Sequence, residues 1–180
     1  MIIYNEYKPI RLDADLPSSA RSWRNSPAIR KWCRQFTLID EYQQAHWLES
    51  QASNPTVKMF GIAAESRYIG VCGFTDIDMV NRNAEFSLYI EPASQRKGYG
   101  RKALLTLFRH GFDDWGFKRI WGETFDNNPA LKVFLDVGMK KEGCFRSAYF
   151  RRGKWIDSHI VGLLDNEWQL KHSKNKLKAV

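Results

Sequence analysis

The sequence predicts a single α/β (α+β) domain of about seven strands flanked by helices, and three stretches carry that prediction. Residues 83–105 alternate like a strand, pass through a glycine loop and emerge with helical spacing. Residues 59–74 hold two apolar runs joined by a short polar turn. Residues 119–138 repeat the strand-to-helix step, with Asn127-Asn128-Pro129 at the junction.

In the first stretch Ala84, Phe86, Leu88 and Ile90 alternate with Glu85, Ser87 and Tyr89, the period of a half-buried strand. Pro92 ends it, because proline cannot donate to a ladder. Gly98 and Gly100 accept backbone conformations that other residues resist and let the main chain approach a ligand closely. From Ala103 the spacing is helical, with Leu104, Leu107, Phe108, Phe112 and Trp115 on one face. A loop of bare amides opening a helix is an anion site. Arg96, Lys97, Arg101 and Lys102 add positive charge around it. The loop lacks the Gly-x-x-x-x-Gly-Lys-Ser/Thr of a Walker loop and the three glycines of a dinucleotide fingerprint.

Taken in order, residues 9–12 read as a first strand, with Asp13 or Asp15 capping the helix after it. Residues 16–34 have helical spacing, which Ser26-Pro27 divides into two short helices. A third helix starts at Asp40, with Tyr42, Ala45, Trp47 and Leu48 as its apolar residues. Trp23, Trp32 and Trp47 are core residues on one reading and line an acceptor pocket on another. Met59–Ala64 and Tyr68–Phe74 form a hairpin through residues 65–67, and 76–82 is a polar connection. After the long helix, 119–124 is a fifth strand. Asn128 suits a helix N-cap and Pro129 the first helical position, with Gly138 as the stop. Residues 139–145 and 158–164 are the last two strands, joined by a turn at 151–154. With no repeat, linker or low-complexity segment, one domain covers 1–168 and a basic tail 169–180.

Composition narrows the function. A chain of 180 residues, 43% hydrophobic and 14% aromatic, has enough apolar surface for a core. No apolar run has the length of a membrane span, and the N-terminus lacks the pattern of a signal peptide. Cys33, Cys72 and Cys144, odd in number and widely spaced, fit reduced thiols in a cytoplasmic protein rather than a disulfide framework. Neither they nor four scattered histidines form a ligand pattern, so no metal is expected. Half of the net charge of +8 lies in the last ten residues. The remaining excess is modest for a nucleic-acid binder and fits a polyphosphate-bearing ligand.

Gln95, Gly98 and Gly100, in the pattern Gln-x-x-Gly-x-Gly after a strand bearing Ala-Glu-Phe, resemble the pyrophosphate loop of the GNAT superfamily of acyl-CoA N-acyltransferases. Asn127, Ala130, Phe134 and Gly138-Met139 are spaced like that superfamily's Asn-x-x-Ala/Ser-x-x-x-Tyr-x-x-x-Gly-Phe segment. Glu142-Gly143-Cys144 and the Tyr149–Asp157 stretch are similar to the C-terminal hairpin of its RimJ/RimL-type branch, which includes ribosomal-protein, polyamine and amino-sugar acetyltransferases. The resemblance covers about residues 8–168. It implies a mixed, mostly antiparallel sheet whose fourth and fifth strands splay apart, with acetyl-CoA as cosubstrate. Main-chain groups of Leu88, Tyr89 and Ile90 would then meet the pantetheine arm. The loop of Gln95, Arg96, Lys97, Gly98, Tyr99, Gly100 and Arg101 would hold the pyrophosphate, and Asn127, Ala130 and Phe134 would complete the cofactor face.

Acetyl transfer to an amine needs a neutral nucleophile. An ammonium of pKa ~10 is about one part in a thousand neutral at pH 7, so reaching the neutral form costs roughly 4 kcal/mol. Glu85, on the polar side of its strand with Ser87 and Tyr89, is the first candidate base and Glu123 the second. Phe134 stands where many relatives carry a tyrosine acid. The thiolate of CoA, of pKa ~8.5, can leave unaided, or Tyr149 or water can supply its proton. Trp32, Ser87, Trp155 and Asp157 are candidate acceptor contacts. The basic residues at 146–154 favour an acidic or phosphate-bearing acceptor. The expected activity is N-acetylation of a primary amine, such as a protein N-terminus or an amino sugar, by direct attack in a ternary complex. Two alternatives are a CoA-binding regulatory protein with weak or lost catalysis, and a nucleic-acid-binding or nucleic-acid-modifying protein. Exposed C-terminal strands permit a homodimer without requiring one.

Overall fold

A computed structural model describes residues 16–64 and 67–172. The expected first strand, its Asp13 or Asp15 cap and most of the lysine tail lie outside them. Among the described residues six strands form one sheet, in the order β1-β2-β3-β4-β6-β5. β1 (Lys58–Ala64), β2 (Arg67–Asp78) and β3 (Asn83–Ile90) are an antiparallel meander. β4 (Arg119–Phe125) joins β3 in parallel over three residues alone, Asn83 to Glu85 against Arg119 to Trp121. Beyond Glu85 the two strands part, which is the expected splay. β6 (Lys154–Leu164) pairs β4 along its length, and β5 (Lys140–Arg151) forms the edge.

α1 (Leu16–Asn25) and α2 (Pro27–Arg30) break at Ser26-Pro27 as expected. α3 (Glu41–Ser53) starts from Asp40, whose carboxylate accepts from the Gln43 amide while the Gln43 side chain returns to the Asp40 amide. This capping box satisfies two otherwise orphaned donors. Of the apolar residues expected on α3, Leu48 is buried, whereas Tyr42, Ala45 and Trp47 face outward. The core reading of Trp47 is therefore corrected: the helix has little to pack on besides α1.

β2 runs on to Asp78, so the connection expected over 76–82 shrinks to 79–82. Burial of Ile77 and its amide bond to the Thr56 carbonyl hold the extension. Asp76 takes the local irregularity at φ 48°. α4 (Tyr99–Arg109) begins earlier than its apolar face, because Gly98 at φ 80° turns the chain into the helix. It ends in a wider π-type turn, His110–Asp114. There a Cβ on Gly111 would lie 2.8 Å from both Ile120 and Phe74, so glycine is required by space.

The core lies between α4, α5 (Ala130–Val137) and one face of the sheet, where Phe74, Phe108, Phe117, Leu104, Leu107, Ile120 and Leu163 are almost fully buried. Each such side chain contributes about 1.5–3 kcal/mol by leaving water. A final helix absent from the sequence expectations, α6 (Asp165–His172), closes this core by setting Trp168 against Phe112, ring centroids 5.7 Å apart. β5 is longer than the expected 139–145 and, with Ser147 at φ 52°, is exposed along most of its length. No helix among the described residues is long and apolar enough to cross a membrane.

Candidate active site at the fork of two strands

Where β3 and β4 separate, each contributes a carboxylate. The Glu85 side chain is 4% exposed and that of Glu123 is 7% exposed, so strand alternation did not place Glu85 on a solvated face. The loop after α2 covers it. From that loop the Arg34 guanidinium donates to Glu85 Oε1 at 2.6 Å and to Glu123 Oε2 at 3.1 Å. A planar fork of donors suits two acceptors at once. Asp76 brings a third carboxylate beside Glu85 from β2, and Thr75 Oγ1 lies 3.5 Å from Glu85 Oε2.

Burial is the largest influence on Glu85 and raises its pKa; Arg34 pulls it down and Asp76 adds to the rise. Burial also disfavours the Arg34 cation, but the hydrogen bond and charge of Glu85, with the charge of Glu123, outweigh that and raise its pKa. The Tyr149 phenol faces the same group. Burial first, then the neighbouring Glu123, push its pKa up to about 12. Tyr149 is placed to donate a hydrogen bond.

The open side of the fork is made of main chain. The Glu91 amide bonds the Ile69 carbonyl of β2, and the Tyr89 carbonyl lies against Gly70. By the alternation of an antiparallel ladder, the polar groups of Tyr89 point to β2, while those of Leu88 and Ile90 point into the fork. The Ile90 carbonyl receives Gln95 Nε2 at 2.9 Å. Tyr89 directs its side chain to α1, where its hydroxyl lies 3.5 Å from the Ala20 carbonyl, and burial raises its pKa. Below the loop, Glu91, Ser94 and Arg67 interlock, with Ser94 Oγ 2.6 Å from Glu91 Oε1.

Arg96 at φ 60° and Gly98 at φ 80° fold the loop over the first turn of α4, whose leading amides have no partner within the helix. Lys97 is exposed beside them. A Cβ on Gly100 would reach Leu88 and Ile90 only at 3.8 Å, an ordinary contact. The protein itself therefore does not require glycine there, whereas a ligand lying on the main chain would. Amides, cations and this open glycine fit a pyrophosphate.

Sequence spacing and structure divide the 127–134 segment. Asn128 caps α5: its Oδ1 accepts from the Ala130 amide at 3.0 Å and its Nδ2 donates to Thr124 at 3.0 Å. Asn127 is exposed and lines a cavity of about 710 Å³ together with Trp32, Trp155 and Asp157. Asp157 also accepts from the Ser147 amide at 2.8 Å, which pins the irregularity in β5. Phe134 packs edge-on to Phe86, centroids 5.0 Å apart, and belongs to the core; Ala130 packs against the same core. Ser87 is half-buried two residues beyond Glu85. Sequence reasoning missed Arg34 and Asp76, and counted Arg151 only among the basic residues at 146–154. Arg34 meets partners 51 and 89 residues away, and no local pattern announces such a contact. Asp76 alone carried a signal, as an acid inside a strand-like run.

A six-stranded, mostly antiparallel sheet that opens beside an amide loop agrees with the fold that the GNAT resemblance implies. The model of the acetyltransferase (GNAT) domain matches residues 7–140, so the chain belongs to the GNAT acetyltransferase family and is an acetyl-CoA-dependent N-acetyltransferase. It is 29% identical over 122 residues to the uncharacterized N-acetyltransferase p20 of Bacillus licheniformis, covering 67% of each chain. To the ribosomal-protein-serine acetyltransferase of Escherichia coli it is 30% identical over 112 residues, 61% of this chain and 63% of the relative. The spermidine N-acetyltransferase of Vibrio cholerae, solved with CoA and spermine, superposes with a TM-score of 0.79 at 18% identity, over 89% of this chain and 95% of that one.

Proposed function

We propose that the protein acetylates a primary amine by direct attack in a ternary complex, with Glu85 as general base. The observation that carries this reading is the buried Glu85–Glu123 pair at the closed end of the fork, next to an amide-rich cationic loop at its open end. Acetyl-CoA supplies the acetyl group as a thioester. The loop from Gln95 to Arg101 binds its pyrophosphate, the main chain of Leu88 and Ile90 lines its pantetheine, and Asn127 bonds the same arm. As the C–N bond forms and the C–S bond breaks, the amine proton passes to Glu85 directly or through water, and the thiolate leaves. A Leu88 amide directed into the fork stabilises the oxyanion. No cysteine lies in either motif, so an acetyl-enzyme is not needed. The relatives named for ribosomal proteins and for spermidine bracket the acceptor without choosing it.

The test is release of free CoA from acetyl-CoA, followed with a thiol reagent across polyamines, nucleotide-linked amino sugars, peptide N-termini and aminoglycosides. Stimulation by one class, lost in Glu85→Gln, is the expected result. Tight acetyl-CoA binding with no turnover of any amine would move the reading to a CoA-responsive regulatory protein.

A further inference from the structure

The cavity beside the carboxylate pair is rimmed by more positive than negative charge. Lys31, Arg151, Arg152 and Lys154 line it against Asp126 and Asp157. Both acids are already engaged: Asp126 Oδ1 meets His159 Nε2 at 2.6 Å, and Asp157 Oδ1 takes the Ser147 amide. Arg152 and Lys154 are exposed on the hairpin turn, and Lys31 lies over the Trp32 ring. Arg151 lines the cavity, stacked on Phe36 and Tyr149 and donating to the Arg34 carbonyl at 2.6 Å. Behind it, Arg34 offsets part of the negative charge that Glu85 and Glu123 would present to an acceptor.

Building on the acetyltransferase reading, we propose that Arg34 is a specificity-determining residue. It engages one oxygen of each carboxylate from within the chain, and the preferred acceptor carries its amine beside a phosphate or carboxylate received by the cationic cavity. A polycation approaching this route meets like charge at the rim and again at Arg34, and nearby like charges reject a wrong partner more effectively than attraction selects a right one. An anion-bearing amine lodges its anion at Arg152 and Lys154. Its amine then meets a carboxylate pair whose negative charge Arg34 offsets in part.

The experiment compares kcat/KM of the wild type for spermine, a nucleotide-linked amino sugar, an acidic tetrapeptide with a free N-terminus, and its neutral counterpart. Anion-bearing amines are expected to exceed spermine by about a hundredfold, and the sugar and peptide arms identify which source supplies the anion. Arg34→Gln is expected to move the ratio towards spermine by about tenfold or more, with Arg34→Lys restoring most of the preference. The exposed double variant Arg152→Glu/Lys154→Glu keeps the test decisive should Arg34→Gln misfold. It is expected to lower kcat/KM for the anion-bearing amine about tenfold with acetyl-CoA affinity unchanged. Spermine preferred by the wild type, or a ratio unmoved by both sets of variants, overturns the proposal and leaves the acetyltransferase reading standing. Acetyl-CoA bound without turnover of any amine overturns both.

Discussion

At the open end of the fork the groups we propose for acetyl-CoA are peptide amides and carbonyls, set by two left-handed residues, Arg96 and Gly98, and by a strand edge that β4 leaves unpaired beyond Glu85. At the closed end they are side chains from separate parts of the chain: Asp76, Glu85, Glu123, Tyr149 and Arg34. Main chain cannot be changed by point substitution except through backbone geometry, so the open end tolerates most sequence drift. The closed end depends on individual charges, and one substitution can redirect it. On the proposed reading, two ligands meeting in one site are thus recognised by different means.

The largest effect should come from the closed end. Glu85→Gln removes the base while keeping size and a hydrogen-bond acceptor, and is expected to lower kcat by about 10²–10³-fold with acetyl-CoA affinity retained. A variant within threefold of wild type in steady-state thiol release would remove Glu85 from the chemistry. At the open end, Gly98→Ala places a Cβ at φ 80° in open space, so its cost is conformational, about 1–2 kcal/mol. Calorimetric titration should show acetyl-CoA binding about tenfold weaker, and kcat at saturation preserved.

Gly100→Ala separates the protein's needs from the ligand's. The new methyl meets Leu88 and Ile90 only at 3.8 Å, so Tm should stay within a degree or two while acetyl-CoA affinity falls several-fold. A fall in Tm with affinity intact would mean that this glycine serves the fold. The smallest effect concerns pH. Glu85 must be ionised to act, so kcat/KM should fall as pH drops through its pKa, which burial raises and Arg34 lowers. Removing Arg34 leaves burial, Thr75, Asp76 and Glu123 around the carboxylate. The acid limb of the Arg34→Gln profile is therefore expected at higher pH than that of the wild type. An unmoved limb would detach the limb from Glu85.

The glycine loop and its helix, the helix start at Asp40, the cap at Asn128 and the break at Ser26-Pro27 were all legible, because each is a local conformational preference within a few residues. The extension of β2 through Asp78 was not, since it depends on Ile77 finding the core and on the Thr56 carbonyl waiting across the chain. Nor was α6, whose short polar sequence becomes helical by burying Trp168 against rings of the core.

The sequence by itself determined the strand that carries Glu85, the glycine loop after it and the helix that follows, while the splay of the sheet came from the family resemblance. Alternation, glycine and capping are properties of neighbours along the chain. Only the tertiary structure decided what surrounds that carboxylate. Arg34 reaches it from 51 residues away, across a loop whose conformation no nearby residue dictates. Burial and charge, which set what Glu85 can do, belong to the assembled fold.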